Sequence, residues 1–415
     1  MPRMSPALTY GPGLADWQER IDVDRLRRAR AARMQRIMEQ HGVVSLLVTG
    51  ADNCRYVTGL RGPEYAPHVW YVLFFAESDP VVFGGAGYVT QPHESPWIRE
   101  WRLARSWLGG ICGPAAAAAE AEKFAGEVAS VIAERGLKKE PLAVIGAFDE
   151  LAQRALREQG LEVRGGWPLM LEATSIKTED EIRCTKMAVA IAEVAWYRML
   201  EAMRPGVNED ELIRRGAAAA SAAGAEYAKV SFHSGPLTFE RGIKDTSRIL
   251  QPGELLYGNL CGTSYLGYRT CLYRTFAVGR EPTRREADWY KRMLDRIDGV
   301  IDAIRPGATT ADAARHFDPA STWGYTDEAA VLTIEIGHGV GLHQYERPVI
   351  NRQWSSDYPQ VFEPGQIIAV ESREGAPGAG GVRLENMVVV TETGAEVLDY
   401  FPRDRIVVAP AANTP

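Results

Sequence analysis

The chain has 415 residues, of which 46% are hydrophobic and 24% charged. This length predicts two domains rather than one core, and the composition is that of an ordinary globular protein. A net charge of -7 argues against a nucleic-acid partner, and the absence of a run of about 18 uncharged apolar residues argues against a membrane partner.

The cellular compartment is predicted from the N-terminus and the cysteines. Residues 1–16 are rich in Pro and Gly and lack a basic region followed by an apolar stretch, so they favour an N-terminal arm over a secretory signal. The five cysteines are odd in number, scattered, and free of any CxxC pair, which favours a reducing compartment. We therefore expect a cytoplasmic protein.

The first half alternates helical and strand-like patterns. Apolar runs bounded by turn residues predict strands, and an Ala-rich stretch with helical spacing predicts a crossover helix. In chain order the predicted elements are a helix at 22–41, strands at 43–48, 69–75 and 81–85, a helix at 113–136 and a strand at 141–146. This order predicts an N-terminal α/β domain that ends near Gly165 and Gly166.

The second half follows a different pattern. A long helix opened by acidic residues is predicted from Thr178, and a second long helix over 284–304. The segments between and after them end in turn signals, which predicts an α+β domain with helices on one face of a mostly antiparallel sheet. The expected division is an arm at 1–20, an α/β domain at 21–166 and a catalytic domain at 167–415.

The most informative motif is GHGVGLHQYERP at 337–348. Glycines beside a histidine let a ligand or another chain segment approach the imidazole closely, although a structural turn would explain this motif equally well. Three more motifs accompany it in order: GNLCGTSYLGYRTCLYRTF at 258–276, EPGQIIAVESREGAPGAGG at 363–381, and VRLENMVVVTETGAEVL at 382–398.

These four motifs together resemble the C-terminal domain of the pita-bread superfamily, the creatinase and aminopeptidase P-like proteins of peptidase family M24. The residues of these motifs are similar to those of the non-peptidase branch, which contains creatinase, ectoine hydrolase and dimethylsulfoniopropionate lyase. The resemblance implies a creatinase-like N-terminal α/β domain followed by an α+β pita-bread catalytic domain.

The metallopeptidases of this superfamily bind two divalent ions with two aspartates, a histidine and two glutamates. The resemblance places the histidine on His338 and the glutamates on Glu371 and Glu385, but the aspartates on Leu260 and Cys271. Because leucine offers no lone pair, a two-metal centre is improbable, and we expect no cofactor. A single ion on Cys271, His338, Glu371 and Glu385 is the alternative.

Other positions depart from creatinase. The resemblance places Tyr273 where creatinase has a glutamate and Tyr345 where it has a histidine. A third position, a histidine after the SG pair, falls on Glu240 or Arg241. Creatine hydrolysis is therefore doubtful.

The expected site combines acid/base and binding groups. His338, Glu371 and Glu385 are the candidate catalytic residues, because clustered carboxylates cannot all stay ionised and one can exchange protons near neutrality. The candidate substrate-binding residues are Arg383, for a carboxylate, with Tyr345, Tyr273, Glu240 and Arg241. The alternative for Arg383 is a salt bridge.

The resemblance also implies a partner. In creatinase-like dimers the N-terminal domain of one subunit lies over the active site of the other. We therefore expect a homodimer in which residues 51–68 contribute to the partner's site, with Arg61 or His68 as candidate substrate contacts. A simple strand-turn-strand connection is the alternative.

The predicted function is metal-independent hydrolysis of a non-peptide C–N bond in a small cationic or zwitterionic compound. Three alternatives stay open: a lyase that abstracts a proton, a mononuclear metallohydrolase or Xaa-Pro peptidase-like enzyme, and a non-catalytic binding module.

Overall fold

The computed structural model describes residues 21–62, 69–85, 97–107, 112–146, 148–240 and 247–409. The chain divides into two compact units, Val23–Thr174 and a larger unit that comprises Ser175–Pro415 with Met1–Asp22. The predicted arm at 1–20 lies outside the described residues. The first unit extends past residue 166, where the boundary was predicted.

The unit Val23–Thr174 is built on one six-stranded sheet, in the order β4-β3-β2-β1-β5-β6. The helices and strands predicted from the periodicity of this region are confirmed. The helices are α1 Val23–Gln40, α2 Ala51–Thr58, α3 Pro114–Glu134, α4 Glu150–Glu158 and α5 Trp167–Ser175. The strands are β1 Ser45–Thr49, β2 Trp70–Phe75, β3 Val81–Gly84, β4 Glu100–Leu103, β5 Leu142–Ile145 and β6 Val163–Gly165.

Aromatic packing stabilises this sheet. Strands β1, β2 and β3 are buried along their whole length, which explains their unbroken apolar runs. Helix α3 places Phe124 against Tyr71 and Trp107, with ring centroids 5.2 and 4.2 Å apart. The Ala-rich stretch is therefore an amphipathic core helix, as its spacing predicts.

The larger unit contains the remaining elements. Its helices are α6 Glu179–Leu200, α7 Glu209–Ala222, α8 Arg284–Ala303 and α9 Thr310–Ala314. Its strands are β7 Ser231–Ser234, β8 Leu255–Asn259, β9 Ser264–Tyr265, β10 Tyr268–Arg269, β11 Tyr273–Val278, β12 Ile336–Gly339, β13 Glu346–Ile350, β14 Ile367–Ala376, β15 Gly380–Val390, β16 Ala395–Val397 and β17 Val407–Ala409.

Nine of these strands form one sheet, in the order β13-β12-β14-β15-β11-β8-β7, with β16 on β15 and β17 on β11. All the pairings are antiparallel except the one between β11 and β17. The predicted fold class, an α/β domain followed by an α+β pita-bread domain, is confirmed.

The two long helices of this unit cover one face of the sheet. Helix α6 places Trp196 against Phe276, with ring centroids 5.5 Å apart, and α8 shares a buried cluster with Ile368 and Val370. Side chains alternate along a strand, so Thr275, Ala369 and Glu371 lie on the opposite face. That opposite face carries the polar residues described below.

No helix in the described parts of the chain is long and apolar enough to cross a membrane.

Candidate active site

The candidate site is a row of polar side chains across the open face of the large sheet. Glu371 on β14 lies directly opposite Glu385 on β15, and Glu385 lies opposite Tyr273 on β11. Residues paired in this way on antiparallel strands project from the same face. The sheet register therefore brings together three of the predicted site residues, all of which are buried.

His338 joins this row from the neighbouring strand. It lies on β12 two residues after Ile336, which pairs with Glu371, so the imidazole projects from the same face. Its Nδ1 lies 2.9 Å from the backbone oxygen of Gly339. Because a carbonyl oxygen can only accept, Nδ1 carries the proton and Nε2 presents its lone pair to the site.

A cross-strand pair of cysteines lies next to His338. The hairpin from β8 to β11 is closed by hydrogen bonds from Leu260 N to Leu272 O (3.0 Å) and from Gly262 N to Thr270 O (2.8 Å). Cys261 and Cys271 lie between these two links and face each other. Asn259 Oδ1 accepts from the backbone nitrogen of Cys261 at 2.6 Å and so fixes its position.

Three pairs of side chains in this cluster approach closely. Cys261 Sγ donates to Glu385 Oε2 at 3.2 Å, and Cys271 Sγ lies 3.8 Å from His338 Nε2. Glu385 Oε1 is 3.9 Å from the same nitrogen. The ligand atoms of Cys261, Cys271 and Glu385 all lie within 4.8 Å of one another.

Burial and like charge together determine the protonation of this cluster. Burial raises the pKa of Glu385 well above its ordinary value, and the adjacent Cys261 and Glu371 raise it further. Burial likewise raises the pKa of the Cys271 thiol, with additional contributions from Cys261, Glu385 and Glu371. Without a positive partner, these groups favour their protonated forms.

Arg383 occupies the next row of the same face, but backbone oxygens take much of its hydrogen-bonding capacity. Its Nη2 donates to the oxygens of Phe239 (3.1 Å) and Glu240 (2.7 Å). The guanidinium also lies over the ring of Tyr257, 4.6 Å from the centroid. Among the described residues its Nε has no hydrogen-bond partner. Within the described residues Arg383 forms these contacts rather than the salt bridge that was the alternative for it.

The other predicted binding residues have different placements. Tyr345 is 55% exposed, and its ring lies 4.4 Å from the ring of His338. Glu240 meets Arg383 through its backbone oxygen. Arg241 and His68 lie outside the described residues. Arg61 is an exposed residue of the first unit, and its contact with a partner subunit stays a prediction.

Sequence reasoning missed several residues of this face. Cys261 is the most important of them, because its thiol lies in the cluster with Cys271 and Glu385. Alignment with the family's motifs had placed the ligand position on its neighbour Leu260. The register at the tip of the hairpin, where Ser264 pairs with Arg269, would by itself align Cys261 with Leu272. A shift of one residue, seen in the bond from Gly262 N to Thr270 O, pairs Cys261 with Cys271 instead, and no signal in the sequence indicates that shift. His233 was also missed; its ring lies 5.0 Å from that of Tyr257.

The residues present do not fit a centre of two divalent ions held by carboxylates. Leu260 is fully buried within the apolar core, where it offers no donor atom. Cys271 offers sulfur rather than the paired oxygens of an aspartate. The described residues thus lack two of the five ligands that the superfamily's metallopeptidases use.

Comparisons with known proteins show what the chain resembles. It is 31% identical over 236 residues to the probable dipeptidase PepE of Mycobacterium tuberculosis, covering 56% of this chain and 60% of that protein. It is 30% identical over 240 residues to a creatinase from a Bacillus species, covering 54% and 57% of the two chains. The chain thus spans less than two thirds of the length of these curated relatives.

A solved structure shows the same fold. The structure described as an Xaa-Pro dipeptidase from Bacillus anthracis superposes with a TM-score of 0.74 at 23% identity, over 92% of this chain and 99% of that one. At this identity the likeness concerns the fold alone.

These findings correct the function expected from the sequence. The predicted metal-independent hydrolysis of a non-peptide C–N bond is wrong, because the matching family is one of metallopeptidases and curated relatives are named dipeptidases. The alternative of an Xaa-Pro peptidase-like enzyme fits better. The sequence pattern that defines metallopeptidase family M24 matches residues 183–392, which is just over half of the chain. The chain therefore belongs to that family.

Proposed function

We propose that the chain hydrolyses the amide bond of small peptides, with dipeptides of the Xaa-Pro type as the first candidates. One observation carries the proposal: Glu371 and Glu385 face each other, buried, beside His338, inside the segment that matches the metallopeptidase family. Names of relatives that include dipeptidases support the peptide as substrate class.

Glu371 is the proposed general base. A glutamate held on a strand at the centre of a sheet has a fixed position, and a buried carboxylate is a suitable proton acceptor. Water attacks the peptide carbonyl carbon while Glu371 takes one of its protons. The tetrahedral intermediate then collapses, the C–N bond breaks, and the proton passes to the leaving amine nitrogen.

Arg383 is the proposed anchor for the C-terminal carboxylate of the peptide. Its guanidinium is already oriented by the oxygens of Phe239 and Glu240 and by the ring of Tyr257. Its Nε remains available among the described residues, and a charge-assisted hydrogen bond to a carboxylate would use it. Anchoring the terminal carboxylate would favour dipeptides over long chains.

The test is a panel of dipeptides, including Xaa-Pro sequences, incubated with the purified chain in separate samples with added zinc, added manganese or no added metal. Release of free amino acids is measured by chromatography with mass detection. We expect cleavage of at least one dipeptide, and a fall in kcat of about 100-fold or more for Glu371→Gln, because the general base is lost.

Glu396→Gln is the matched control. Glu396 is half-exposed on β16 and pairs with Lys186, so this change should leave kcat unaltered. Failure to cleave any dipeptide in all three conditions, by protein that unfolds cooperatively, would reject the proposal. Equal activity of Glu371→Gln and the wild type would reject the role of Glu371.

A further inference from the structure

The cysteine pair creates a set of donor atoms that a two-carboxylate metal centre does not have. Cys261, Cys271 and Glu385 place their ligand atoms mutually within 4.8 Å, and His338 Nε2 lies within 4 Å of two of them. In a tetrahedral zinc site with the usual bond lengths, neighbouring ligand atoms lie about 3.3–3.8 Å apart. Cys261 Sγ lies 3.2 Å from Glu385 Oε2, Cys271 Sγ lies 3.8 Å from His338 Nε2, and Glu385 Oε1 lies 3.9 Å from the same nitrogen, each close to that range. Because Cys261 and His338 approach different oxygens of Glu385, coordination by all four residues requires a small movement of one side chain.

The orientation of His338 is that of a metal ligand. In such histidines one ring nitrogen binds the ion while the other donates its proton to a carboxylate or backbone oxygen. Here Nδ1 donates to the oxygen of Gly339, and Nε2 faces Cys271 and Glu385. The backbone thus fixes the tautomer that coordination requires.

An unsatisfied atom gives an independent indication of a ligand. Glu385 is 0% exposed, and its Oε1 has no hydrogen-bond partner among the described residues. A buried carboxylate oxygen without a donor is costly, and an ion or another positive group at this position would remove the cost.

The nearby arginines do not meet this need in the described residues. Arg383 and Arg373 direct guanidinium nitrogens to the backbone oxygen of Phe239, which lies away from the cysteines along the sheet. Arg274 donates to the backbone oxygen of Glu385 and pairs its charge with Asp399 on the opposite face.

We propose that Cys261, Cys271, Glu385 and His338 bind one thiophilic divalent cation of the zinc type. Sulfur and imidazole ligands select such an ion over magnesium or manganese, in contrast to the oxygen ligands of the superfamily's two-metal centres. A bound ion would supply positive charge next to Glu371. The binding site does not depend on the proposed peptidase activity, although that activity would gain from it.

The first test is the metal content of the full chain after exposure to zinc and removal of the excess by desalting. We expect about one zinc per chain, bound through the thiolates. Cys261→Ser and Cys271→Ser should each lower the content to about one fifth or less, because a serine hydroxyl is a poor ligand for this ion. Cys112→Ser, which changes an exposed cysteine of the other unit, should retain the wild-type content.

The second test is spectroscopic and needs only the wild-type chain, so it remains decisive if a variant fails to fold. Cobalt bound by thiolates gives an intense charge-transfer absorption in the near ultraviolet, which ligation by oxygen and nitrogen alone does not. Appearance of this band at one equivalent of cobalt, and its loss on adding zinc, is the expected result.

Two results would overturn the proposal. One is wild-type protein with less than about 0.2 zinc per chain and no charge-transfer band, whatever its activity. The other is an intact mass showing that Cys261 and Cys271 form a disulfide that persists under reducing conditions. Peptide cleavage is measured separately, so metal binding without cleavage would reject the proposed function alone.

Discussion

Leu260 and Cys271 determine what kind of centre this site can be. Both occupy positions where the superfamily's metallopeptidases have aspartates, and both are buried. Replacing two carboxylates by an apolar group and a thiol removes two negative charges and four oxygen donors from the cluster. The alignment of the hairpin adds the thiol of Cys261 to the remaining donors. Together these donors are fewer and softer than the oxygen ligands of the two-metal centres.

A second buried feature at the residue scale is the ion pair between Lys177 and Glu346, whose charged atoms lie 2.6 Å apart with both side chains 2% exposed. Burial by itself would raise the pKa of Glu346, but Lys177 and His343 outweigh it, so the pKa is lowered below its ordinary value. The carboxylate therefore stays charged in the folded chain over a wider pH range than in the unfolded chain.

Removing one partner of this pair should be costly. Lys177→Met leaves the Glu346 carboxylate buried without its counter-charge, and we expect a loss of about 3–5 kcal/mol in the free energy of unfolding at neutral pH. The double variant Lys177→Met with Glu346→Leu should recover most of this loss, since no lone charge remains. Urea denaturation of the three proteins measures both effects.

The same pair predicts a pH dependence. Because the folded-state pKa of Glu346 lies below the unfolded-state value, its contribution to stability is fully present above the ordinary pKa of 4.5 and is lost as the pH falls through the folded-state value. The wild type should therefore lose more stability than the double variant on acidification below 4.5. Equal acid sensitivity of the two proteins would contradict this assignment.

At the scale of elements, hydrogen bonds from side chains of β11 to the backbone of β15 hold the row of site residues in register. Thr275 Oγ1 accepts from Arg383 N and donates to Arg383 O, each at 2.8 Å. Arg274 Nη1 donates to the backbone oxygens of Tyr273 and Glu385, also at 2.8 Å. The RT pair of the motif thus fixes the position of Glu385 through bonds to the backbone of β15.

Gly339 is the glycine of the GHG motif that the sheet requires. A Cβ at this position would lie 2.3 Å from the backbone oxygen of Arg347 on the neighbouring strand, closer than any real contact. The register of β12 and β13 shifts between His338 and Gly339, so the two backbones approach closely here. Substitution must force the strands apart next to the imidazole.

Gly339→Ala should therefore lower the free energy of unfolding by about 3 kcal/mol, as over-packing against fixed backbone does. Gly394→Ala is the control, because a Cβ there meets nothing within 4 Å; its effect should stay within about 0.5 kcal/mol. Thermal or urea unfolding measures the difference. Similar stability of the two variants would show that the close approach of the strands is not rigid.

The elements themselves could be predicted from the sequence because their apolar periodicity is strong. The run VWYVLFF becomes β2 and the Ala-rich stretch becomes α3, each within about two residues. The cysteine pair could not be found in this way, because it depends on how a hairpin aligns two segments ten residues apart. Motif transfer aligned Leu260 with a ligand, whereas the folded hairpin presents Cys261.

The roles of the tyrosines and arginines were equally hard to predict. Sequence similarity predicts Tyr345 in the pocket; its side chain is more than half exposed, and its ring lies 4.4 Å from that of His338. Arg383 was identified, yet its bonds to the oxygens of Phe239 and Glu240 depend on the turn after β7. Such long-range contacts leave no periodic signal in the chain.

At the scale of the whole molecule, a family scaffold is retained while its metal ligands are changed. The large sheet, its helices and the paired glutamates follow the M24 pattern, and the match covers residues 183–392. The homodimer, the contribution of Arg61 or His68 to a partner's site, and the cytoplasmic location stay predictions.

The central claim is that this altered site still hydrolyses a peptide bond. The most direct measurement is mass analysis of the products of the best dipeptide substrate after cleavage in water enriched in heavy oxygen. We predict that one heavy oxygen atom enters the newly formed carboxylate of the N-terminal residue, and that Glu371→Gln abolishes this labelled product. Unlabelled products, or no cleavage by the folded protein with or without zinc, would contradict the account.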